Sequence, residues 1–309
     1  MSDKYKGVGA LLLAATLYGS LGIFSRFIGF AIPIFYQQFV RFLLTLIILF
    51  IFLAKQRSWK NVQNKDWAWI ILRGVGGLIS FVGVYVAFLY LDFGTNYFVS
   101  YASATIGGYL LGKILCGEKI NRIATISLFI ALCGLYVVYS ANVDLTKTPF
   151  IILSFIAGVG TAIWNVVSKK ISNTYSNLQI VFLDTAFGAI VCLIISLFIR
   201  EQWTLPSANY IWLALVLLTF VQIGTNIFVV FGFKRVEANL GSLILLFDIV
   251  AGLAFAALLY KEIPSTLTLV GGLLIVIAIS LPSIWCSRLF RCFGRCDKFN
   301  ESNGHRISS

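Results

Sequence analysis

The chain has 309 residues, of which 59% are hydrophobic and only 12% carry a charge. A soluble protein of this length could not place so much apolar surface inside, because its exterior must be polar, so the composition excludes a soluble globular protein. The net charge of +12 would suit nucleic-acid binding, but the cations lie in short segments between apolar runs, as membrane orientation requires. We therefore expect the partner of this surface to be a lipid bilayer and not a nucleic acid.

About ten apolar runs are long enough, at roughly 20 residues each, to cross a bilayer as helices. Backbone groups in lipid must bond internally, and the alternating strands of a membrane barrel are missing from the sequence. The sequence therefore predicts an all-α polytopic membrane protein. The predicted spans are residues 7–26, 34–54, 67–91, 94–115, 123–141, 149–168, 178–199, 209–233, 239–260 and 266–287.

The ten predicted spans divide into two groups of five. We predict a first five-helix repeat over residues 1–141, a linker over 142–148 and a second five-helix repeat over 149–287. The polar, basic stretch 288–309 is predicted to be a disordered cytoplasmic tail. Because an odd number of spans reverses the second repeat in the membrane, the two repeats are predicted to be inverted.

A block of sequence at the end of the fourth span returns at the end of the ninth. Residues 104–118 read ATIGGYLLGKILCGE, and residues 248–262 read DIVAGLAFAALLYKE. Small residues four positions apart share one helix face, where another backbone can approach closely. The repetition indicates one unit written twice, which is a common plan among transporters. The corresponding pairs are Gly108 with Gly252, Gly112 with Ala256 and Glu118 with Glu262.

The distribution of Lys and Arg predicts the orientation. If the N-terminus is in the cytoplasm, only four of the 24 Lys and Arg residues fall on the outer side of the membrane: Arg26, Lys147, Arg200 and Lys261. Arg41 lies within a span, and the other nineteen lie on the inner side, as the positive-inside rule requires. Both termini are therefore predicted to be cytoplasmic, and cations such as Arg73 are expected to reach the inner headgroups. Compact loops and the lack of targeting signals suggest a bacterial inner (plasma) membrane.

Each half carries an aromatic–small pair in its first helix, a charged residue in its second and a glutamate turn after its fourth. These residues are Tyr18-Gly19, Arg41 and Gly117-Glu118 in the first half, and Trp164-Asn165, Asp184 and Lys261-Glu262 in the second. Together they resemble a known family, the EamA-type drug/metabolite transporters. The resemblance covers about residues 7–286 and implies transport of a small molecule without ATP. A proline that family members often carry early in the fourth and ninth helices is missing here, where Ala104 and Asp248 stand instead.

Three charged residues inside predicted spans are candidates for substrate binding, because charges in lipid are costly: Arg41, Asp184 and Asp248. Phe39-Val40-Arg41 aligns with Phe182-Leu183-Asp184, so the first two occupy equivalent places in the two repeats. The alternative is a structural ion pair or a snorkelling arginine. Asp248 can exchange a proton, which would couple transport to protons, or bind a cationic group of the substrate.

Polar and aromatic residues near these charges complete the predicted site. In lipid, Gln and Asn often only bond across helices, and Tyr and Trp often only pack, so each has a structural alternative. Glu118 and Glu262 are interpreted as turn and capping residues. The neighbouring candidates are Tyr18, Gln38, Tyr85, Tyr101, Trp164, Asn165, Gln222 and Asn226.

Motifs of the common enzyme classes are missing from the sequence. It holds no GxxxxGK[ST] loop for ATP, no HExxH and no GxSxG, and its one histidine lies in the tail. The six cysteines show no metal-binding spacing, so we expect no enzyme, cofactor or metal. The sequence predicts a secondary transporter of a small polar or amphipathic metabolite, such as an amino acid, nucleoside or cofactor, that works by alternating access. The alternative is a membrane receptor or assembly subunit that transports nothing.

Overall fold

The computed structural model describes residues 3–28, 31–56, 59–139, 144–207, 209–261 and 264–293. Within these ranges every regular element is helical. A short 3₁₀ helix, Leu145–Lys147, precedes the second half. The α-helices are α1 (Asp3–Ile28), α2 (Ile34–Gln56), α3 (Asn64–Phe88), α4 (Phe93–Cys116), α5 (Arg122–Tyr139), α6 (Thr148–Ile171), α7 (Asn177–Phe198), α8 (Tyr210–Phe233), α9 (Ala238–Leu245), α10 (Phe247–Tyr260) and α11 (Thr266–Phe293).

Seven of the ten predicted spans are long and apolar enough in the described chain to cross a membrane. Large apolar side chains also point outward, as with Ile114 (73% exposed), Phe129 (68%), Phe198 (86%) and Leu258 (77%). Such apolar surface is tolerated when the surroundings are lipid. The protein is therefore an integral, multi-pass, all-α membrane protein. The seven candidate spans are Ile34–Gln56, Asn64–Ala87, Arg122–Tyr139, Leu145–Ile171, Asn177–Phe198, Tyr210–Phe233 and Ala238–Tyr260.

The largest helix contacts recur when each helix is replaced by its counterpart in the other half. Helix α1 packs on α8, and its counterpart α6 packs on α3. Helix α1 also packs on α10, as α6 packs on α4. The remaining large contacts join α2 to α7 and α5 to α11, each pairing a helix with its own counterpart. The halves are thus interleaved, and most large contacts run between them.

The buried core also joins the two halves. One cluster brings Leu11 of α1 together with Val166 of α6, Val229 and Phe233 of α8, and Ile244 of α9, all nearly or fully buried. Burying these side chains between helices from both halves places the polar residues of the same helices along a shared interior. This arrangement positions the site described below.

Two glycines mark close contacts between helices from different halves. A Cβ added to Gly19 of α1 would lie 2.6 Å from the backbone nitrogen of Gly252 and 2.7 Å from the carbonyl oxygen of Asp248 in α10. Gly108 of the repeated block lies directly against Ser242 of α9. No larger residue fits at these positions without moving a backbone, so small residues there allow close helix approach.

The ninth predicted span, 239–260, is not one continuous helix. It is interrupted at Leu246, which separates α9 from α10. At the interruption the amides of Leu246 and Ile249 bond three residues back, to Leu243 and to Leu246. This tighter turn locally replaces the α-helical pattern and often marks a functional position. Asp248, predicted near the middle of a helix, instead lies in the first turn of α10.

The helices that end the repeated blocks close with the same backbone turn. Helix α4 ends at Gly117 with a φ of 67°, and α10 ends at Lys261 with a φ of 54°. Both residues are left-handed, a conformation that glycine adopts freely and lysine adopts at a cost. The two halves therefore share a turn whose chemistry differs.

Some predictions concern residues outside the described ranges. These are the turn residue Glu262, most of the tail, 294–309, and the part of the linker at 142–143. The last helix runs to Phe293, past residue 288, where the sequence predicts that the tail begins.

Candidate functional site

A cavity of about 450 Å³ lies between the two halves, with walls from α1–α4 and α6–α10. Apolar residues such as Phe42 and Leu246 form part of the wall, so the cavity has both polar and apolar faces. The structure brings ten of the eleven predicted site residues to this one space. They are Tyr18, Gln38, Arg41, Tyr101, Trp164, Asn165, Asp184, Gln222, Asn226 and Asp248.

Tyr85 is the predicted site residue that the structure places elsewhere. Its ring packs edge-on against Phe35, with ring centroids 5.5 Å apart. On α3 the cavity-lining residues include Gly77, Phe81 and Val84, which share one helix face. Tyr85 lies on the same face, one turn after Phe81, because an α-helix has about 3.6 residues per turn. Its ring nevertheless packs against Phe35 near the start of α2 and is not part of the cavity wall.

Arg41 of α2 is held by two neutral side chains. Its Nη1 donates to Oε1 of Gln38 at 2.9 Å, one turn earlier, and its Nη2 donates to Oε1 of Gln222 on α8. Its Nε is shielded from solvent and has no hydrogen-bond partner among the described residues. The two amides fix the guanidinium in place, but they do not neutralise its charge.

Asp184 of α7 is held by a cation. Its Oδ2 lies 2.5 Å from Nη1 of Arg73 on α3 and accepts from Nε1 of Trp164 at 2.7 Å. The guanidinium also lies over the Trp164 ring, 4.5 Å from its centroid, and its Nε donates to Ser168 at 2.9 Å. Only 1% of the Arg73 side chain and 13% of the Asp184 side chain are exposed. The pair is buried and the two charges compensate each other.

Glycines on α3 create the space for this pair. A Cβ on Gly76 would lie 2.9 Å from the carbonyl oxygen of Gly160 on α6, so the two backbones nearly touch. A Cβ on Gly77 would lie 2.9 Å from the indole of Trp164. The run Arg73-Gly74-Val75-Gly76-Gly77 therefore lets α3 approach α6 closely enough for Arg73 to reach across to α7.

Arg73 was expected at the inner headgroups, and that expectation is wrong. The side chain is buried in the protein because Asp184, Ser168 and Trp164 provide it with partners there. Sequence reasoning missed it because a cation near the inner end of a span usually reaches the headgroups. One signal was available: Arg73 lies inside the predicted span 67–91, directly before a glycine run.

Asp248 is the third charge at the cavity. Its Oδ2 accepts from the hydroxyl of Tyr101 at 2.7 Å, while its Oδ1 is shielded and has no hydrogen-bond partner among the described residues. The Tyr101 ring belongs to a stacked group with Tyr97 and Tyr139, at centroid distances of 5.6 to 6.3 Å. The Asp248 carboxylate thus lies beside an aromatic surface, held by one neutral donor.

Charge compensation differs among the three predicted site charges. Asp184 is paired with Arg73, whereas Arg41 and Asp248 have only neutral partners in the described structure. Arg41 and Asp248 each retain a free polar atom. The arrangement can bind a solute through charged hydrogen bonds. The described residues include no cluster of three or more His, Cys, Asp or Glu side chains that could hold a metal.

At one end of the interior, Glu118 joins both halves. Its carboxylate accepts from the amide of Ala238 at 2.8 Å, at the start of α9, and from Nζ of Lys169 at 2.6 Å, at the end of α6. Lys169 also donates to the carbonyl of Val236 at 3.0 Å. The capping role predicted for Glu118 is confirmed, and the helix that it caps belongs to the other half.

The chain is similar to a curated membrane exporter and to a solved structure. The Pseudopaline exporter CntI of Pseudomonas aeruginosa, from two strains, is 20% identical over 230 residues, which cover 74% of this chain and 80% of the relative. A solved crystal structure with 17% sequence identity has a TM-score of 0.78 and covers 92% of this chain and 98% of the other. At that identity the likeness concerns the fold.

A family model matches the chain twice, once in each half. The matches cover residues 5–140 and 148–284, which is nearly all of the helical part and agrees with the repeated unit seen in the sequence. The resemblance drawn from the sequence motifs is therefore confirmed. This membrane protein belongs to the EamA-like transporter family.

Proposed function

We propose that the protein is a secondary transporter that moves a small polar or amphipathic metabolite by alternating access. The observation that supports this most directly is the cavity between the halves, which is lined by residues of both and contains Arg41 and Asp248, for which the described residues supply no charged partner. A binding site at the interface of two repeats can open to one side and then to the other as the repeats move.

The mechanism requires ten spans arranged as two inverted five-helix repeats, with both termini in the cytoplasm. The packing pattern supports such a pseudo-symmetric arrangement, since the largest contacts between helices have counterparts in the other half. The bias of Lys and Arg supports the orientation. A bacterial relative supports a bacterial inner membrane as the location, and its name favours export as the direction.

We further propose that protons drive the transport through Asp248. Its free Oδ1 and single neutral donor, Tyr101, leave the carboxylate able to take up and release a proton at the cavity. An imposed proton gradient should then accelerate solute flux in wild-type vesicles, and Asp248→Asn should remove that acceleration. Unchanged acceleration in Asp248→Asn would contradict coupling at this residue.

Flux through purified protein in vesicles tests the main proposal. Proteoliposomes would be incubated with a panel of amino acids, nucleosides, sugars and vitamins, and their contents would be measured by mass spectrometry against protein-free vesicles. We expect saturable uptake of at least one class. If folded protein gives no flux for any class, the transporter proposal fails and a receptor or assembly role takes its place.

Topology provides an independent test of the inverted arrangement. Thr146→Cys places a thiol in the described part of the linker, in the exposed 3₁₀ helix. A membrane-impermeant thiol reagent applied to intact cells should label this variant above the level of the parent chain. Labelling only after the cells are opened would place the linker inside, and the inverted arrangement would then be wrong.

A further inference from the structure

The cavity holds two charges of opposite sign with neutral protein partners in the described structure. Arg41 binds the amides of Gln38 and Gln222 and keeps a free Nε, and Asp248 binds the hydroxyl of Tyr101 and keeps a free Oδ1. A buried donor or acceptor without a partner is costly, and charged ones cost most. Each of the two charges can therefore bind an oppositely charged group of a solute.

Asp184 does not offer the same opportunity. Its Oδ2 is taken by Arg73 and Trp164, and the pair is almost completely buried. The charge of Asp184 is already compensated by a guanidinium that has Ser168 and the Trp164 ring as further contacts, so a substrate cation would gain less there. The pair therefore serves to fix α3, α6 and α7 relative to one another, and the available carboxylate of the cavity is Asp248.

We propose that the transported solute is zwitterionic, with its anionic group bound by Arg41 and its cationic group bound by Asp248. This inference rests on the proposed transport function and names the chemical class of its substrate. A carboxylate fits Arg41, because guanidinium donors match two carboxylate oxygens and the amides of Gln38 and Gln222 take only two of its five N–H groups. An ammonium fits the carboxylate of Asp248, which lines the cavity beside the stacked rings of Tyr97 and Tyr101.

The same two contacts explain how other solutes would be rejected. A neutral solute would leave both charges unpaired in a partly dry cavity, and a singly charged solute would leave one unpaired. A site built around hydrogen bonds to its substrate discriminates strongly against analogues that lack the bonding group, because its own polar groups then lose their partners. The apolar wall that includes Phe42 and Leu246 can accept the rest of the molecule.

Matched chemical probes test this selectivity on the wild-type protein. Proteoliposomes would be given phenylalanine, phenylalaninamide, which keeps only the cation, and N-acetylphenylalanine, which keeps only the anion. Lysine, leucine and linear amino acids from glycine to 6-aminohexanoate, each with the same two derivatives, extend the test to other separations of the charges. Glucose, uracil and nicotinate represent solutes that are not zwitterions, and protein-free vesicles give the leak.

We expect at least one zwitterion to enter about tenfold faster than either of its derivatives, which is what one charged hydrogen bond contributes. Arg41→Gln should lower the ratio of zwitterion to amide uptake about tenfold, and Asp248→Asn should lower the ratio of zwitterion to N-acetyl uptake. Arg41→Lys should retain part of the selectivity. Arg122→Gln and Asp3→Asn, exposed sites away from the cavity, are matched controls that should leave both ratios unchanged.

The outcomes separate this inference from the proposed function. If a neutral or singly charged solute enters as fast as every zwitterion, the inference is wrong and the transporter remains. If no member of the whole panel enters through folded protein, the transport proposal fails and the inference fails with it. The wild-type comparison decides the matter even if a variant does not fold, and the variants identify which charge binds which group.

Discussion

Helices α2 and α7 occupy equivalent places in the two halves, and each presents one charge to the shared cavity. Arg41 of α2 is held by the amides of Gln38 and Gln222, while Asp184 of α7 is held by the guanidinium of Arg73. Each charge meets a residue on the third helix of the opposite half. The comparison shows that one geometric position can become either part of the framework or an available binding group, depending on whether its partner is charged.

The largest expected effect comes from breaking the compensated pair. Arg73→Met should destabilise the fold by about 3–5 kcal/mol, because it leaves the buried Asp184 carboxylate without its cation. The double variant Arg73→Met/Asp184→Asn should be more stable than the single variant, since it removes both charges. Unfolding of the purified proteins in a denaturing detergent measures both. A loss of less than about 1 kcal/mol in the single variant would remove the distinction between the two helices.

A second compensated carboxylate tests whether pairing itself makes a charge structural. Glu118→Ala should cost about 2 kcal/mol, because it removes the cap of α9 together with the partner of Lys169. The control is Asp92→Ala, which removes the exposed cap at Thr95 of α4 and should cost about 1 kcal/mol or less. Equal losses in the same unfolding assay would mean that the ion pair adds nothing.

The uncompensated charge should matter much less for stability. Arg41→Gln removes one hydrogen bond between α2 and α8, and such bonds between membrane helices contribute about 0.6 kcal/mol on average. We expect a loss below about 1 kcal/mol, well under that of Arg73→Met. A loss equal to that of Arg73→Met would show that Arg41 belongs to the framework and would break the comparison.

Effects of similarly small size are expected at the turns that close the repeated blocks. Lys261→Gly should stabilise the protein by up to about 1 kcal/mol, because glycine adopts the φ of 54° without steric cost. Gly117→Ala, at the equivalent turn with a φ of 67°, should destabilise by about 1 kcal/mol. Opposite signs in the unfolding assay are the expected result. If both substitutions changed the stability in the same direction, the left-handed backbone would not determine the energy of the two turns in the same way.

Much of the site could be predicted from the sequence, because charges inside apolar runs are rare and rarely lack a function. Arg41 and Asp248 stand out for that reason, and Tyr101 is a polar aromatic residue inside the fourth predicted span. Arg73 also lies inside a predicted span, but near its inner end, where a cation usually reaches the headgroups, and only the folded structure reveals its partners. The cavity could not be predicted in detail from single helices, since which face of a helix points inward depends on its neighbours.

Two further features depend on packing that the sequence does not display. The interruption at Leu246 contains neither proline nor glycine, so nothing in the local sequence predicts where the ninth span breaks. Tyr85 is a polar aromatic in an apolar run, as Tyr101 is, yet it packs on Phe35 away from the cavity. The difference between the two tyrosines is the neighbour that each one meets, Phe35 for Tyr85 and Asp248 for Tyr101, and tertiary contacts determine it.

The interruption at Leu246 also separates two pieces with different neighbours. The piece before it, α9, packs on both α4 and α1, whereas the piece after it, α10, packs chiefly on α1. Tyr101 belongs to α4 and Asp248 to α10, so their hydrogen bond bridges the two packing partners. Bending at this joint would stretch that bond, and a solute bound to the same carboxylate would change the forces that hold the joint. Solute binding and bending of the ninth span would then both involve the Tyr101–Asp248 hydrogen bond.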